Sequence, residues 1–325
     1  MSRYLRGIYC FVLLFLLIGI SGCHSFPDHG WQAYNRGNYS DAVGFACSAA
    51  DSREPDAQYL LGMMYFHGHG LERNHDEARK WCRKAGEQGL ARAQYLLGSM
   101  LKQGQGGAAN QKDAAHWLRR SAEQGYPLAE ADLGVMYTRG QGVEQDHKEA
   151  VKWFRRAANR DLALAQANLG LLYREGLGVK MDKRAAAKWL RRAAKQGFPL
   201  AQSELGMMYI KGDGVKQDYE NAAGWLRKAA DQGLAQAQYN LGLLYIKGQG
   251  LEKDYTEAAK WMRLAAEKGM PLAQYRLASM YENGYGVESN KPEAYYWYAR
   301  AAALGSRSAL QRREALAGKM SPQEA

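Results

Sequence analysis

The sequence predicts an all-α solenoid, one helix pair stacked on copies of itself, and three observations carry that reading. Trp81, Trp117, Trp153, Trp189, Trp225, Trp261 and Trp297 recur every 36 residues without a gap. The glycine pairs Gly68/Gly70, Gly104/Gly106, Gly140/Gly142, Gly176/Gly178, Gly212/Gly214, Gly248/Gly250 and Gly284/Gly286 keep the same register. Composition agrees: Gly is high at 36 and Pro low at 7, while Ala, Leu, Lys, Arg and Gln abound, which suits short helices punctuated by glycine turns and disfavours strands. A chain of 325 residues could hold two ordinary domains. An ungapped repeat replaces separate cores with one continuous stack.

The first element, residues 1–22, reads as a lipoprotein signal peptide. Arg3 and Arg6 form a basic start, an apolar run extends from Ile8 to Ile20 apart from Tyr9, Cys10 and Gly19, and Ile20-Ser21-Gly22-Cys23 follows at once. The run is too short to span a bilayer comfortably. Small residues before Cys23 let a peptidase approach the backbone, and the Cys23 thiol is the only group there able to take a thioether-linked diacylglycerol. The segment resembles a lipobox, which implies cleavage before Cys23 and an acylated new amino terminus; at ~0.8 kcal/mol per buried methylene such an anchor is permanent. The competing reading is an ordinary signal peptide with an incidental cysteine. His24, standing where Asp would retain an enteric lipoprotein in the inner membrane, points to the outer membrane facing the periplasm. The formal charge of +11 includes Arg3 and Arg6, so the mature chain carries about +9.

Residues 23–55 read as lipid anchor, tether and amino-terminal cap, with Trp31, Tyr34, Gly37, Tyr39 and Ala42 spaced like a shortened repeat. Solenoids need caps because each unit leaves an apolar face for its neighbour. Cys47 and Cys82 fall on helices expected to be neighbours. In an oxidising compartment they could pair; alternatively Cys82 is a buried small side chain, since Leu118, Phe154, Leu190 and Leu226 hold its position later.

Residues 56–306 carry the seven repeats. In the fourth, Ala163 to Glu175 has helical periodicity and Gly176-Leu177-Gly178 stops it, because glycine reaches left-handed backbone angles. Asp182 caps a second helix from Lys183 to Gln196 whose apolar side is Ala186, Trp189, Leu190, Ala193 and Ala194. Asn74, Asn110, Asp146, Asp218, Asp254 and Asn290 hold the same cap position. Pro127, Pro199 and Pro271 open alternate first helices, a position where the missing amide costs nothing. Residues 307–325 supply a closing helix, Arg307 to Ala317, and a tail.

The pattern A-x-A-x-x-x-L-G-x-x-Y-x-x-G-x-G-V, followed by D, A, W, A-A and G, resembles the Sel1-like repeat, a relative of the tetratricopeptide repeat. That resemblance implies a right-handed α-α superhelical solenoid with a concave groove lined by first helices, acting as a scaffold for protein partners. The departures are Leu101 for the tyrosine, Gly107 for the valine and Asp161 for the last glycine. Aspartate tolerates a left-handed turn better than most residues, so that turn should survive.

Catalysis would require singular residues that break the repeat and converge. His67, His69 and His75 crowd one loop near Cys82, but their spacing fits no standard zinc set. No G-x-S-x-G, phosphate loop or paired-carboxylate pattern is present. The sequence therefore predicts no catalytic residue, no metal and no cofactor. The tryptophans read as core. The basic doublets Arg119/Arg120, Arg155/Arg156, Arg191/Arg192 and Arg227/Lys228 sit late in second helices, where positive charge suits the helix dipole, so no nucleic acid is invoked; attraction to anionic lipid or an acidic protein stays open.

Framework positions are alike in every repeat and cannot confer specificity. Variable positions at i, i+3 and i+7 of first helices share a face: Asp132, Val135, Arg139; Asn168, Leu171, Glu175; Glu204, Met207, Lys211; Asn240, Leu243, Lys247. An apolar centre flanked by mixed charge suits another protein, unless Val135, Leu171, Met207 and Leu243 are buried between repeats. Two roles follow from the resemblance: immunity to a type six secretion lipase toxin, or a scaffold for envelope or exopolysaccharide assembly. A peptidoglycan- or β-lactam-acting enzyme is the outlying alternative.

Overall fold

The computed structural model describes residues 29–51 and 53–320, and every regular element among them is a helix. The leader, Cys23 and the last five residues lie outside the described residues. A cap of α1 (His29–Asn35) and α2 (Tyr39–Asp51) precedes seven pairs. These are α3 (Pro55–His67) with α4 (His75–Glu87), α5 (Ala91–Gln103) with α6 (Gln111–Glu123), α7 (Pro127–Arg139) with α8 (His147–Asn159), and α9 (Ala163–Glu175) with α10 (Lys183–Lys195). The rest are α11 (Pro199–Lys211) with α12 (Tyr219–Asp231), α13 (Ala235–Lys247) with α14 (Tyr255–Glu267), and α15 (Pro271–Asn283) with α16 (Lys291–Ala303), closed by α17 (Arg307–Ala317). Each helix packs on the next in the chain, which makes the molecule an α-α solenoid.

Short-range chemistry sets these boundaries. Asn74, Asn110, Asp146, Asp182, Asp218, Asp254 and Asn290 each accept a backbone amide at the start of a second helix. Pro55 joins Pro127, Pro199 and Pro271 at first-helix starts, extending the two-repeat alternation to the beginning of the array. The two glycines of each G-x-G have different duties. Gly176 ends α9 at φ 70°, whereas Gly178 at φ 69° lies against the carbonyl of His147 at the start of α8. The second glycine thus lets the loop of one repeat touch the backbone of the repeat before it. Asp161 keeps the left-handed turn at φ 62°, its carboxylate held by Arg192 at 2.5 Å and by Gln166 at 3.1 Å.

Within a pair, Gly170 admits the Leu190 side chain and the Ala186 carbonyl, each close enough that a methyl group would collide. Leu169, Leu190, Ala193 and Ala194 are buried there. The tryptophans are less uniformly interior than expected. Trp117, Trp153 and Trp297 are buried, but Trp81, Trp189, Trp225 and Trp261 are half-buried. Of the two readings of Cys47 and Cys82, the pairing is not formed and Cys82 is the buried small side chain. Both thiols are free: Cys47 is exposed on α2, while Cys82 is sealed in the core with its sulfur against Gly62, and burial pushes its thiol up to about 12.

One framework column was not anticipated. Gln58, Gln94, Gln166, Gln202, Gln238 and Gln274 are buried on first helices, and each donates to a carbonyl eight residues earlier, such as Gln166 Nε2 to Ala158 at 3.1 Å. Four of them also accept an amide from the glutamine that ends the second helix of their own repeat: Gln88 to Gln58, Gln124 to Gln94 and Gln196 to Gln166 at 2.8 Å, and Gln232 to Gln202 at 2.9 Å. At the third repeat the column holds Glu130, wholly buried and clamped by Arg156 at 2.8 Å and Arg160 at 2.7 Å. Hydrogen-bonded charge replaces a neutral amide pair at the same place.

Candidate partner-binding surface

The solenoid offers two long faces, one of first helices and one of second helices, and their polar side chains behave differently. On second helices the basic doublets belong to the framework. The first member reaches the tyrosine of the following first helix: Arg119 donates to Tyr137 at 2.5 Å, Arg155 to Tyr173 at 2.8 Å, Arg191 to Tyr209 at 2.9 Å, and Arg227 to Tyr245; the lone Arg263, followed by Leu264, donates in the same way to Tyr281. The second member lies over the tryptophan of its own helix, with Lys84 at 3.9 Å from the Trp81 ring centre, Arg156 at 4.7 Å from Trp153 and Arg192 at 4.9 Å from Trp189. These cations cover indole faces, buried at Trp153 and half-buried at Trp81 and Trp189, a local duty beyond the helix dipole. Leu101 supplies no hydroxyl, so Arg83 faces the Trp117 ring at 5.9 Å instead. The constant spacing of 18 residues between arginine and tyrosine was the sequence signal for this clamp.

The first-helix face divides by column. Arg139, Glu175, Lys211 and Lys247 are all exposed. Val135, Leu171, Met207 and Leu243 are half-buried; Val135 and Leu243 pack on the core beneath them. The remaining column turns toward neighbouring repeats. Asp132 is buried and pairs with Lys102 of the preceding repeat at 3.0 Å, and Glu204 likewise meets Arg174. Asn168 is half-buried with its amide on the Leu164 carbonyl at 2.8 Å, and Asn240 is buried with Gln236 at 3.4 Å from its oxygen. Asp132 and Asn240 are therefore seam residues, because the i position of the stripe points along the stack. What remains facing outward is an apolar strip beside an exposed charged column.

The histidines of the first loop assemble otherwise than as metal ligands. His69 stacks on Tyr39 at 4.6 Å between ring centres and on His67 at 5.2 Å, and its Nδ1 lies 2.9 Å from the Tyr34 hydroxyl; His75 stacks on Phe66 at 5.2 Å. The rings join the cap to the first repeat. Burial and the neighbouring His69 and His75 hold His67 below the usual imidazole range. Among the described residues no group of three or more metal-binding side chains converges, and no helix is long and apolar enough to cross a membrane.

Comparison with known proteins places this geometry. A sequence model of the Sel1 repeat matches seven consecutive segments: 55–90, 91–126, 127–162, 163–198, 199–234, 235–270 and 271–306. The crystal structure of a Sel1 repeat protein from Oxalobacter formigenes is similar at 30% identity and a TM-score of 0.71, with 88% of this chain and 86% of that chain covered. The structure of c5321, a protective antigen of uropathogenic Escherichia coli, is similar at 25% identity and a TM-score of 0.56, covering 91% and 87%. No curated protein matches the sequence significantly.

Proposed function

This chain belongs to the Sel1 repeat family, a protein-interaction fold, and we propose that it is a non-enzymatic binding solenoid that holds a protein along the first helices of its third to sixth repeats. The observation that carries the reading is the contrast between faces. Second-helix arginines are engaged by tyrosine and tryptophan rings, whereas Arg139, Glu175, Lys211 and Lys247 project outward beside half-buried Val135, Leu171, Met207 and Leu243. A recessed apolar strip with a charged margin suits a macromolecular interface: desolvating the strip gives affinity and the margin selects the partner.

The proposal includes a place. The leader sequence, with Arg3, Arg6, the apolar run and Cys23, supports a lipid anchor at Cys23 and a periplasmic solenoid at the outer membrane. Within that setting we favour an immunity role, in which the solenoid occludes a secreted lipase toxin at the membrane. Support comes from the described residues forming one uninterrupted stack of helices with no second kind of element. Scaffolding of envelope or exopolysaccharide assembly is the alternative reading of the same surface.

Photo-crosslinking in cells tests the face. A photoreactive residue at Glu175, Lys211 or Lys247 should yield one discrete protein adduct, and the same residue at exposed Lys152, Lys188 or Lys260 of second helices should yield none. Adducts only from the second helices would move the site to the other face. A toxin as the adduct selects immunity, and an assembly component selects scaffolding. Labelled fatty acid entering the Cys23→Ala chain would remove the anchor from the proposal.

A further inference from the structure

The charges on the first helices of the third to seventh repeats look balanced in the sequence. Acids are Glu130, Asp132, Glu175, Glu204 and Glu282; bases are Arg139, Arg174, Lys211, Lys247 and Arg276. The structure separates the two signs. Glu130 is sealed beneath Arg156 and Arg160, Asp132 is buried on Lys102, and Glu204 meets Arg174. Glu282 accepts the Tyr298 hydroxyl at 2.8 Å and lies 3.8 Å from Arg312, and Glu175 shares the Arg174 guanidinium at 2.8 Å. Each of the five acids is thus tied to a cation within the solenoid. Arg139, Lys211, Lys247 and Arg276 are exposed, and none has an acid partner among the described residues.

From this we infer that the first-helix face binds an acidic, partly apolar segment of a protein, its carboxylates meeting Arg139, Lys211, Lys247 and Arg276 and its apolar side chains resting on Leu171 and Met207. The inference rests on the reading of this face as the binding surface and adds the chemistry of the occupant. The source of the selectivity is intramolecular: Asp132 and Glu204 are drawn to cations of the preceding repeat and Glu130 is buried under two arginines of its own, so the surface left outside is positive although the helices are neutral overall. A protein segment is favoured over a lipid surface because the cations border a recessed half-buried strip, which a flat bilayer would leave unfilled. The second-helix cations form the more continuous basic surface but are held against aromatic rings.

The test uses the mature chain from Cys23 onward with Cys23→Ser, and two fluorescent peptides of equal length that alternate Glu with Leu or Lys with Leu. Anisotropy titration at physiological salt should show the Glu/Leu peptide binding about tenfold tighter or better than the Lys/Leu peptide. Replacing Arg139, Lys211, Lys247 and Arg276 together by Gln should abolish that preference, with helix content unchanged by circular dichroism. Replacing Arg155, Arg191 and Arg227 by Gln should leave it intact. Equal binding of the two peptides would overturn the inference. If the first-helix quadruple variant keeps the preference but Leu171→Ser with Met207→Ser loses binding, the face stands as a binding surface and its charge selectivity falls. Loss only in the second-helix variant would overturn both. Binding of wild-type protein to phosphatidylglycerol vesicles through the four cations, without any peptide preference, would assign the face to a membrane and likewise overturn the inference.

Discussion

The second glycine of each G-x-G should be far more sensitive to alanine than the glycine that ends a second helix, although both have left-handed backbones. Gly197 has φ 87° and open space within 4 Å of an added methyl group, so Gly197→Ala costs only the left-handed strain, about 1 kcal/mol. Gly178 has φ 69°, and its methyl group would strike the His147 carbonyl and lie 2.6 Å from the Lys148 amide nitrogen. Both are backbone atoms of α8 and cannot rotate aside. Restoring ordinary contact requires the loop to withdraw by about 1 Å, which adds overpacking on the order of 2 to 3 kcal/mol to the same strain. At about 3 °C per kcal/mol for a chain of this size, Gly197→Ala should lower Tm by about 3 °C and Gly178→Ala by about 10 °C. Thermal melts followed by far-ultraviolet circular dichroism separate these values. Shifts equal within about 2 °C would show that the loop is not locked against the preceding repeat and would refute the reasoning.

Three further outcomes follow from particular contacts. A double-mutant cycle of Arg191→Met and Tyr209→Phe in urea should return a coupling of about 1 kcal/mol from their 2.9 Å hydrogen bond, and zero coupling would reduce the clamp to coincidence of position. Arg160→Gln should cost about 2 kcal/mol by leaving the buried Glu130 carboxylate to Arg156 alone, and adding Glu130→Gln should recover most of it by recreating the amide pair of the other repeats; a double variant no better than the single would contradict the equivalence of the two arrangements. His67 is held below its ordinary value, so the unfolded chain takes up its proton first as pH falls. Stability present above about pH 6.5 should be lost as the pH falls through the folded value, and His67→Gln should flatten the dependence of Tm over that window; an unchanged slope would place the acid sensitivity elsewhere.

Much of the architecture was legible because it is periodic. Asp182, Gly176 and Pro199 act through neighbours a few residues away, so boundaries could be read from local chemistry, and the 36-residue register of Trp189 and Gly170 fixed the stacking. What escaped was the use of side chains across a repeat boundary. Arg191 looks like a surface base until Tyr209 is placed beside it, and Gln166 looks exposed until its carbonyl partner on Ala158 and the amide of Gln196 enclose it. The same blindness affected the candidate surface. Val135 and Arg139 share a face by helical spacing alone, but whether Asp132 faces outward depends on Lys102, thirty residues away and one repeat earlier. Of the two readings of Cys47 and Cys82, the structure takes the buried one: Cys82 is turned into the core against Gly62 while Cys47 is exposed on α2.

The amide ladder sets the order in which the array comes apart. Its links tie Gln58, Gln94, Gln166 and Gln202 both to a carbonyl of the preceding unit and to the end of the second helix of their own repeat, and Glu130 reaches that second-helix end through Arg160. Lys268 and Leu304 occupy the donor position after that, and the buried oxygens of Gln238 and Gln274 have no hydrogen-bond partner. Lys268 turns instead to the Gly233 carbonyl. Each missing link forgoes about 1 kcal/mol and leaves a desolvated acceptor. In a stack where each unit touches only its neighbours, such losses accumulate at one end and do not spread. The array should therefore open like a zipper from the carboxyl terminus: amide exchange and proteolysis should begin at the last two repeats and advance toward the fifth, and exchange that starts in the first repeats would contradict this. A partner lying across Lys211 and Lys247 bridges that boundary, so binding pins the loose end to the firm one and registers as slower exchange in the sixth repeat.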